Sequence, residues 1–348
     1  MATVDWAAVS ANIAKKFDDE ITRHINRSTP LFNIFGIKRA TNGVIQWSNT
    51  FNTSPPTAPI AEGAPVSVFN TDVKRPALLD YTTYHDAFEI TGLAMARALA
   101  SGNPAALTDL FREEMMELIP RLALNVAADI YSGTGASDEM MGLVATNGGI
   151  RSTGTYATID RATYTQWAAT ELANGGALRP LTTKLLGTAR QSVNAACGYD
   201  PDFYVCNPQV WESYGLSLGD KRRYMEEITV GGRVVKLDPG FRAINFDGVP
   251  LIKDISCPTN DLIGGRSEYL DLFQLPHPNE VVTQARGYVD LKGTAESQFG
   301  ETSTGLRARV QALPPAGDKY PFAVYVYPQV RVRKPNAFVR ITDLDPNG

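Results

Sequence analysis

Residues 103–133 read NPAALTDLFREEMMELIPRLALNVAADIYSG, and the reading of this stretch decides the fold. Asn103 can cap a helix, and Pro104 suits the first helical position, where a backbone N–H has no intrahelical partner to lose. Leu107, Leu110, Phe111, Leu118, Leu122, Val126 and Ile130 then form one apolar stripe at helical spacing. The helix is expected to end before Gly133-Thr134-Gly135. Pro120 lies inside it. An interior proline removes a backbone hydrogen bond at a cost of about 3 kcal/mol, so a kink near Met116 is expected.

The chain ahead of this helix has a different character. Trp6, Val9, Ile13, Phe17, Ile21 and Ile25 recur at three- and four-residue spacing, which predicts an amphipathic helix stopping near Ser28-Thr29-Pro30. It packs either on its own core or on a neighbouring subunit. Gly43-Val-Ile-Gln-Trp-Ser-Asn-Thr-Phe51 suits a strand, and Leu79-Asp-Tyr-Thr-Thr-Tyr-His-Asp-Ala-Phe-Glu-Ile90 is a second strand-like run. Between them, Thr53 to Asn70 holds Pro55, Pro56, Pro59 and Pro65 with few large apolar side chains. Such a stretch buries little surface of its own; it is a mobile loop or a segment ordered by another chain.

Behind the helix, short helices and strands alternate. Asp160 is expected to cap a helix bearing Tyr164, Trp167, Ala168 and Leu172 and ending at Gly175-Gly176. Pro180 is expected to open another, with Leu181, Leu185, Ala189, Val193 and Ala196 on one face and Gly198 as its stop. Phe203 to Cys206 reads as a short buried strand broken by Asn207-Pro208. Ala243 to Phe246 and Val249 to Ile252, joined by Asp247-Gly248, read as a hairpin. Strands follow at Leu262 to Gly265, Tyr269 to Phe273, Phe322 to Tyr327, Val330 to Arg333 and Ala337 to Ile341. The pattern is α+β, not a repeated βαβ unit.

Composition bounds the function. A chain of 348 residues suits two domains or one with large extensions, and its 43% hydrophobic content argues for a folded protein. The net charge of −4 gives no global nucleic-acid-binding signature. No apolar run is long enough to span a membrane, and Met1 to Phe17 lacks the form of a signal peptide. Cys197, Cys206 and Cys257 are odd in number and widely spaced, which fits neither a full disulfide framework nor a zinc site. Synthesis in a reducing cytoplasm is expected.

This order of elements resembles the tailed-bacteriophage major capsid protein family, with the Hong Kong 97-type fold. Four stretches carry the likeness. Gly142-Leu-Val, within Met140–Val144, follows the long helix. Phe203-Tyr-Val-Cys-Asn-Pro-Gln-Val-Trp211 is similar to a strand, break and short helix of the family's axial domain. Asp247-Gly-Val-Pro-Leu-Ile252 is similar to a turn of that domain, and Arg333-Lys-Pro-Asn-Ala-Phe-Val-Arg-Ile341 to the closing strand. The resemblance implies an N-terminal arm over 1–42 and an extended two-stranded loop over 43–95. It further implies a peripheral domain over 96–157 and 276–348, with its spine helix at about 104–132, and an axial domain over 158–275. It implies self-assembly into pentamers and hexamers of an icosahedral shell around double-stranded DNA, with portal, scaffolding and decoration proteins as further partners, and no membrane. A fused scaffolding segment is not expected. Some family members cross-link a loop lysine to an asparagine; no local motif ties Lys74 to Asn336, and that chemistry is not expected here.

The intersubunit contact candidates are Trp6 and Phe17 in the arm and Pro55, Pro56, Pro59, Glu62, Pro65, Phe69, Lys74 and Arg75 in the loop. Lys221-Arg222-Arg223 is a compact basic cluster, and Arg307, Arg309, Arg331, Arg333, Lys334 and Arg340 crowd the C-terminal third. Most of these are expected to be solvated or to form intersubunit ion pairs; a second reading has some facing the lumen and touching packaged DNA by phosphate contacts. His24, His85 and His277 are isolated, and no nucleophile, phosphate-loop or metal motif occurs. No cofactor or metal is expected. The alternatives are an encapsulin-type compartment shell and, from another class, a cytosolic α+β enzyme with a convergent polar pocket.

Overall fold

The computed structural model describes residues 31–40, 42–51, 62, 73–100, 104–136, 138–219, 224–225, 227–230, 233–236, 243–275, 309–314 and 317–347. The chain begins with α1 (Leu31–Ile34), β1 (Gly36–Arg39), β2 (Ile45–Phe51), β3 (Val73–Leu79), β4 (Tyr84–Thr91), α2 (Gly92–Ala100) and α3 (Pro104–Ser132). It continues through β5 (Thr155–Tyr156), β6 (Ile159–Asp160), β7 (Thr170–Leu172), α4 (Thr183–Cys197), β8 (Phe203–Cys206) and α5 (Pro208–Leu218). Then come β9 (Tyr224–Met225), β10 (Glu227–Val230), β11 (Arg233–Lys236), β12 (Ala243–Phe246), β13 (Val249–Lys253), β14 (Leu262–Gly265) and β15 (Leu270–Gln274). The last strands are β16 (Arg309–Ala312), β17 (Lys319–Val326), β18 (Pro328–Val332) and β19 (Phe338–Ile341).

Helix α3 runs as one 29-residue element across Pro120; the proline, with no N–H to donate, does not divide it. Leu118, Leu122, Val126 and Ile130 are buried along its stripe, joined by Ala123, Ala127 and Tyr131. Its C-terminal carbonyls need donors from outside the helix. The Gly142-Leu-Val turn supplies them: Leu143 N–H donates to Ile130 O (2.9 Å) and Val144 N–H to Tyr131 O (2.8 Å). Gly142 permits this approach, since a Cβ there would lie 2.7 Å from the carbonyl oxygens of Asp129 and Tyr131.

Seven strands form the largest sheet, in the order β7-β19-β14-β8-β13-β12-β9. Its central strand β8 is buried on both faces, as its unbroken Phe-Tyr-Val-Cys run predicts. Phe203 and Val205 join the core around α3, whereas Tyr204 and Cys206 join the core under α4 and α5. The sheet therefore separates two apolar layers. A second sheet, β16-β17-β4, packs beside α3, with Phe88 stacked on Phe322 at 5.4 Å. A third places β15 between β1, parallel to it, and β18, antiparallel.

Three local expectations are corrected. The strand-like run from Leu79 to Ile90 is two elements: β3 ends at Leu79, and β4 begins at Tyr84 and pairs with β17. The partner of β2 is β3, which carries Pro76; a two-stranded ribbon accepts a residue without a donor. The helix expected after Asp160 is absent. Its carboxylate instead accepts from Ala162 N–H (3.1 Å) and Thr163 N–H (3.3 Å), which closes a turn, and only the 3₁₀ turn Thr165–Trp167 follows. Leu172 lies in β7. Helix α4 starts after Thr182, whose hydroxyl accepts from Leu185 N–H, not at Pro180. Its buried face is Leu186, Ala189 and Val193, while Ala196 is exposed. Gly198, at φ 80°, ends it as expected. Helix α2 has no counterpart among the elements expected from sequence.

Candidate assembly surfaces

The hairpin β2–β3 carries the Pro-rich excursion, and its register runs from Ile45 opposite Leu79 to Phe51 opposite Val73. Its inner face is aromatic. Trp47 lies 6.5 Å from Tyr156 and 6.3 Å from Trp167, and Phe51 stacks on Tyr164 at 4.5 Å. Arg75 Nε donates to the Tyr164 hydroxyl at 2.9 Å. The strands are thus clamped to the body where the excursion leaves them. The opposite face presents Gln46, Ser48, Thr50, Lys74, Pro76 and Leu78, all exposed.

Of the residues proposed from sequence, Lys74 lies on this exposed face and Arg75 is engaged by Tyr164. Glu62 is an exposed turn residue. Trp6, Phe17, Pro55, Pro56, Pro59, Pro65 and Phe69, and the cluster Lys221, Arg222 and Arg223, lie outside the described residues, as do His24, His277 and Arg307. Asn336 donates to Ala196 O at 3.3 Å, and no hydrogen bond joins it to Lys74 among the described residues.

Two of the C-terminal basic residues are internal, which corrects the expectation that they are solvated or meet another molecule. Arg331 is 8% exposed. It forms an ion pair with Asp271 and lies over the rings of Trp47 and Phe273 at 5.4 and 4.6 Å. Lys38 meets the same carboxylate at 2.7 Å, so one acid joins β1, β15 and β18. Arg340 binds Asp261 through Nε (3.0 Å) and Nη2 (2.7 Å) and reaches Glu171 at 3.2 Å; Arg151 holds Glu171 from the other side at 3.1 Å. This chain of charges ties β7, β19 and the entry of β14 to the segment that leads into β5. Breaking one member strands the others in a low-dielectric interior, at about 3–5 kcal/mol.

A further internal cation has no carboxylate in ion-pair range among the described residues. Arg161, 2% exposed, donates to the carbonyl oxygens of Thr153 (2.9 Å), Gly148 (2.7 Å), Gly149 (3.3 Å) and Trp167 (3.3 Å). Burial lowers its pKa to about 10, so it stays protonated near neutral pH. Its guanidinium lies 5.5 Å from the centre of the Tyr156 ring, beneath the hairpin. These side chains hold shape; they do not pair a nucleophile with a base. Among the described residues no three His, Cys, Asp or Glu side chains form a metal-ligating group, and all three cysteines are free.

The fold matches that of known protein shells. A capsid subunit of cyanophage A-1(L) is 17% identical, with 91% of this chain and 92% of that chain covered and a TM-score of 0.68. The capsid of an empty GTA particle covers 91% and 90% at 11% identity, with a TM-score of 0.56. The SrpI encapsulin complex of Synechococcus elongatus PCC 7942 covers 91% and 88% at 13% identity, with a TM-score of 0.53. No curated protein sequence matches the chain. A two-stranded hairpin, a long helix and a two-sided sheet give the chain the Hong Kong 97-type fold. Within that class, the chain belongs to the SU10 major capsid protein family, whose pattern it matches over residues 3–310. It is a major capsid protein of a tailed bacteriophage, and the encapsulin likeness is one of fold alone.

Proposed function

We propose that the subunit assembles as pentamers and hexamers on an icosahedral lattice that encloses double-stranded DNA, and that its role there is structural and non-catalytic. The single observation that supports this most is the β2–β3 hairpin, whose aromatic base is anchored within the chain while the excursion between Phe51 and Val73 has no composition for a core of its own. On this reading the excursion, through Pro55, Pro56, Pro59, Glu62, Pro65 and Phe69, overlaps a neighbouring subunit, with Lys74 and Arg75 at its base. Trp6 and Phe17 of the 1–42 arm pack on another subunit. Residues 96–157 and 276–348 form a peripheral domain and residues 158–275 an axial one. Portal, scaffolding and decoration proteins complete the head, and Lys221, Arg222 and Arg223 face DNA or ion-pair partners. The protein is made in the cytoplasm of the bacterial host and resides in the virion.

Light scattering after size exclusion, followed by electron microscopy of the purified protein, tests the proposal. Capsomers or closed shells are expected. A stable, fully ordered monomer under every assembly condition rules it out.

A further inference from the structure

The structure sorts the crowded basic residues of the C-terminal third. Of these residues, Arg307 and the side chain of Arg309 lie outside what the structure describes; with Arg331 and Arg340 engaged by internal carboxylates, Arg333 and Lys334 remain. Arg333 N–H donates to Tyr269 O at 2.8 Å, which stitches the exit of β18 to the start of β15. Both side chains then lie over one ring: the Arg333 guanidinium is 5.3 Å, and Lys334 Nζ 5.5 Å, from the centre of Tyr269. Arg333 Nη2 is also held by Glu268 O at 3.1 Å. Neither cation has a carboxylate in ion-pair range among the described residues. The nearby acids are occupied: Glu268 faces Arg266 at 3.5 Å, and Asp200 holds Arg190 at 2.6 Å. Arg266 in turn lies 5.4 Å from the ring of Tyr199, which is 53% exposed.

We propose that Arg333 and Lys334, set over Tyr269 and flanked by Arg266 and Tyr199, form a binding site for the phosphodiester backbone of nucleic acid. The Glu268 carboxylate at the Tyr269 hydroxyl is shared with Arg266 and is not in ion-pair range of either cation, so two like charges lie side by side over one ring, and a polyanion relieves their repulsion. The Tyr269 ring orders both cations, and the Glu268 carbonyl oxygen also holds Arg333, so less side-chain freedom is lost on binding. Contacts of this kind grip phosphates without reading bases, which suits an enclosed genome of any sequence. The inference rests on the reading of the chain as a genome-enclosing shell subunit, and it places this surface on the lumenal side.

The test is the anisotropy of a labelled random-sequence duplex titrated with unassembled full-length protein over a range of salt. The variant Arg333→Gln/Lys334→Gln is expected to bind about tenfold more weakly at low salt. Its slope of log affinity against log salt is expected to be shallower by about 1.8, the release of two phosphate contacts. The charge-preserving Arg333→Lys/Lys334→Arg is expected to keep both affinity and slope. Unchanged duplex binding by the glutamine variant overturns the proposal. If that variant binds duplex normally but no longer closes shells, the cations serve an acidic surface of a neighbouring subunit instead. Should the glutamine variant not fold, acetylation of Lys334 in the wild-type protein decides: slowing by duplex that high salt abolishes supports the site, and an unaltered rate refutes it. Shell formation by the wild type is scored separately, so failure of this site is distinguishable from failure of the assembly reading.

Discussion

The Tyr131 hydroxyl donates to Asp254 Oδ2 at 2.8 Å, joining the last turn of the long helix to the exit of β13 through the protein interior. Asp254 is 1% exposed. Burial pushes its carboxyl up to about 6, even though Ser256 N–H and the Tyr131 hydroxyl both favour the anion. The contact is therefore a connection made at the expense of a strained charge. A carboxyl raised in the folded state favours folding when protonated. That contribution is full below the unfolded value and is lost as pH rises through about 6. Asp254→Asn keeps an acceptor for Ser256 and an amide for the tyrosine oxygen, but carries no charge. Its stability relative to wild type is expected to rise by about 2–3 kcal/mol between pH 4 and pH 7.5. Denaturant melts of the unassembled subunit across that range measure it. A difference independent of pH would show that Asp254 does not titrate there.

Arg161 is the second test of the buried polar frame. Four carbonyl oxygens from three separate turns converge on one guanidinium, and no other side chain spans them among the described residues. Lysine has the charge but not the planar fork. Arg161→Lys is expected to cost about 2 kcal/mol, and Arg161→Met about 3 kcal/mol or more, because each lost donor leaves a buried carbonyl unpaired. Chemical denaturation reads both values. Equal stability of all three proteins would mean that the turns close without the arginine.

The sequence made the apolar skeleton legible and left the polar frame hidden, for a physical reason. The stripe of α3, the run Phe203 to Cys206 and the Asp247-Gly248 hairpin are local patterns, in which period and turn chemistry act within a few residues. Arg161 reaches carbonyl oxygens only 6 to 13 residues away, but these lie in irregular turns that have no period to read. The Tyr131–Asp254 contact and the Arg340–Asp261 pair are long-range, and no spacing rule links residues 123 or 79 positions apart. Arg331 and Arg340 misled for the same reason: an arginine in a strand looks solvated until the acid opposite it is known. Asp160 misled differently. Its side chain does cap backbone N–H groups, but those of a turn, and a capping residue alone does not reveal which. Lys74 and Arg75 were legible only as residues at the base of the hairpin, since both follow the excursion in sequence and lie among the first residues of β3 to pair with β2.

Two glycines in ordinary backbone conformation give opposite expectations. Gly264 sits in β14, between β19 and β8, where an added Cβ would lie 2.3 Å from the Tyr204 ring. Tyr204 is fully buried and cannot move aside, so Gly264→Ala is expected to destabilise by about 1–3 kcal/mol. Gly187 lies inside α4, and an added Cβ there would meet nothing within 4 Å. Gly187→Ala is expected to stabilise by about 0.5–1 kcal/mol, through helix propensity alone. Thermal melts of the two variants should move in opposite directions. A stabilising Gly264→Ala would refute the close packing of β8 against β14.

The strongest test concerns the excursion between β2 and β3. Phe51 and Val73 are the last paired residues of the hairpin, and Phe51 is secured by its stack on Tyr164. Residues 53–70 can therefore be replaced by a short Gly-Ser turn without disturbing the clamped strands. Their prolines and small polar side chains contribute no core, so the subunit is expected to stay folded and soluble. If the excursion overlaps a neighbour, the same replacement removes a contact repeated at every subunit. A loss of about 1.4 kcal/mol per contact weakens each association tenfold, and the effect compounds around a closed lattice. The variant is expected to show unchanged circular dichroism and no closed shells by negative-stain microscopy. Normal shells would rule out an essential assembly role for the excursion. Global unfolding would assign it to the subunit's own core, which its composition argues against.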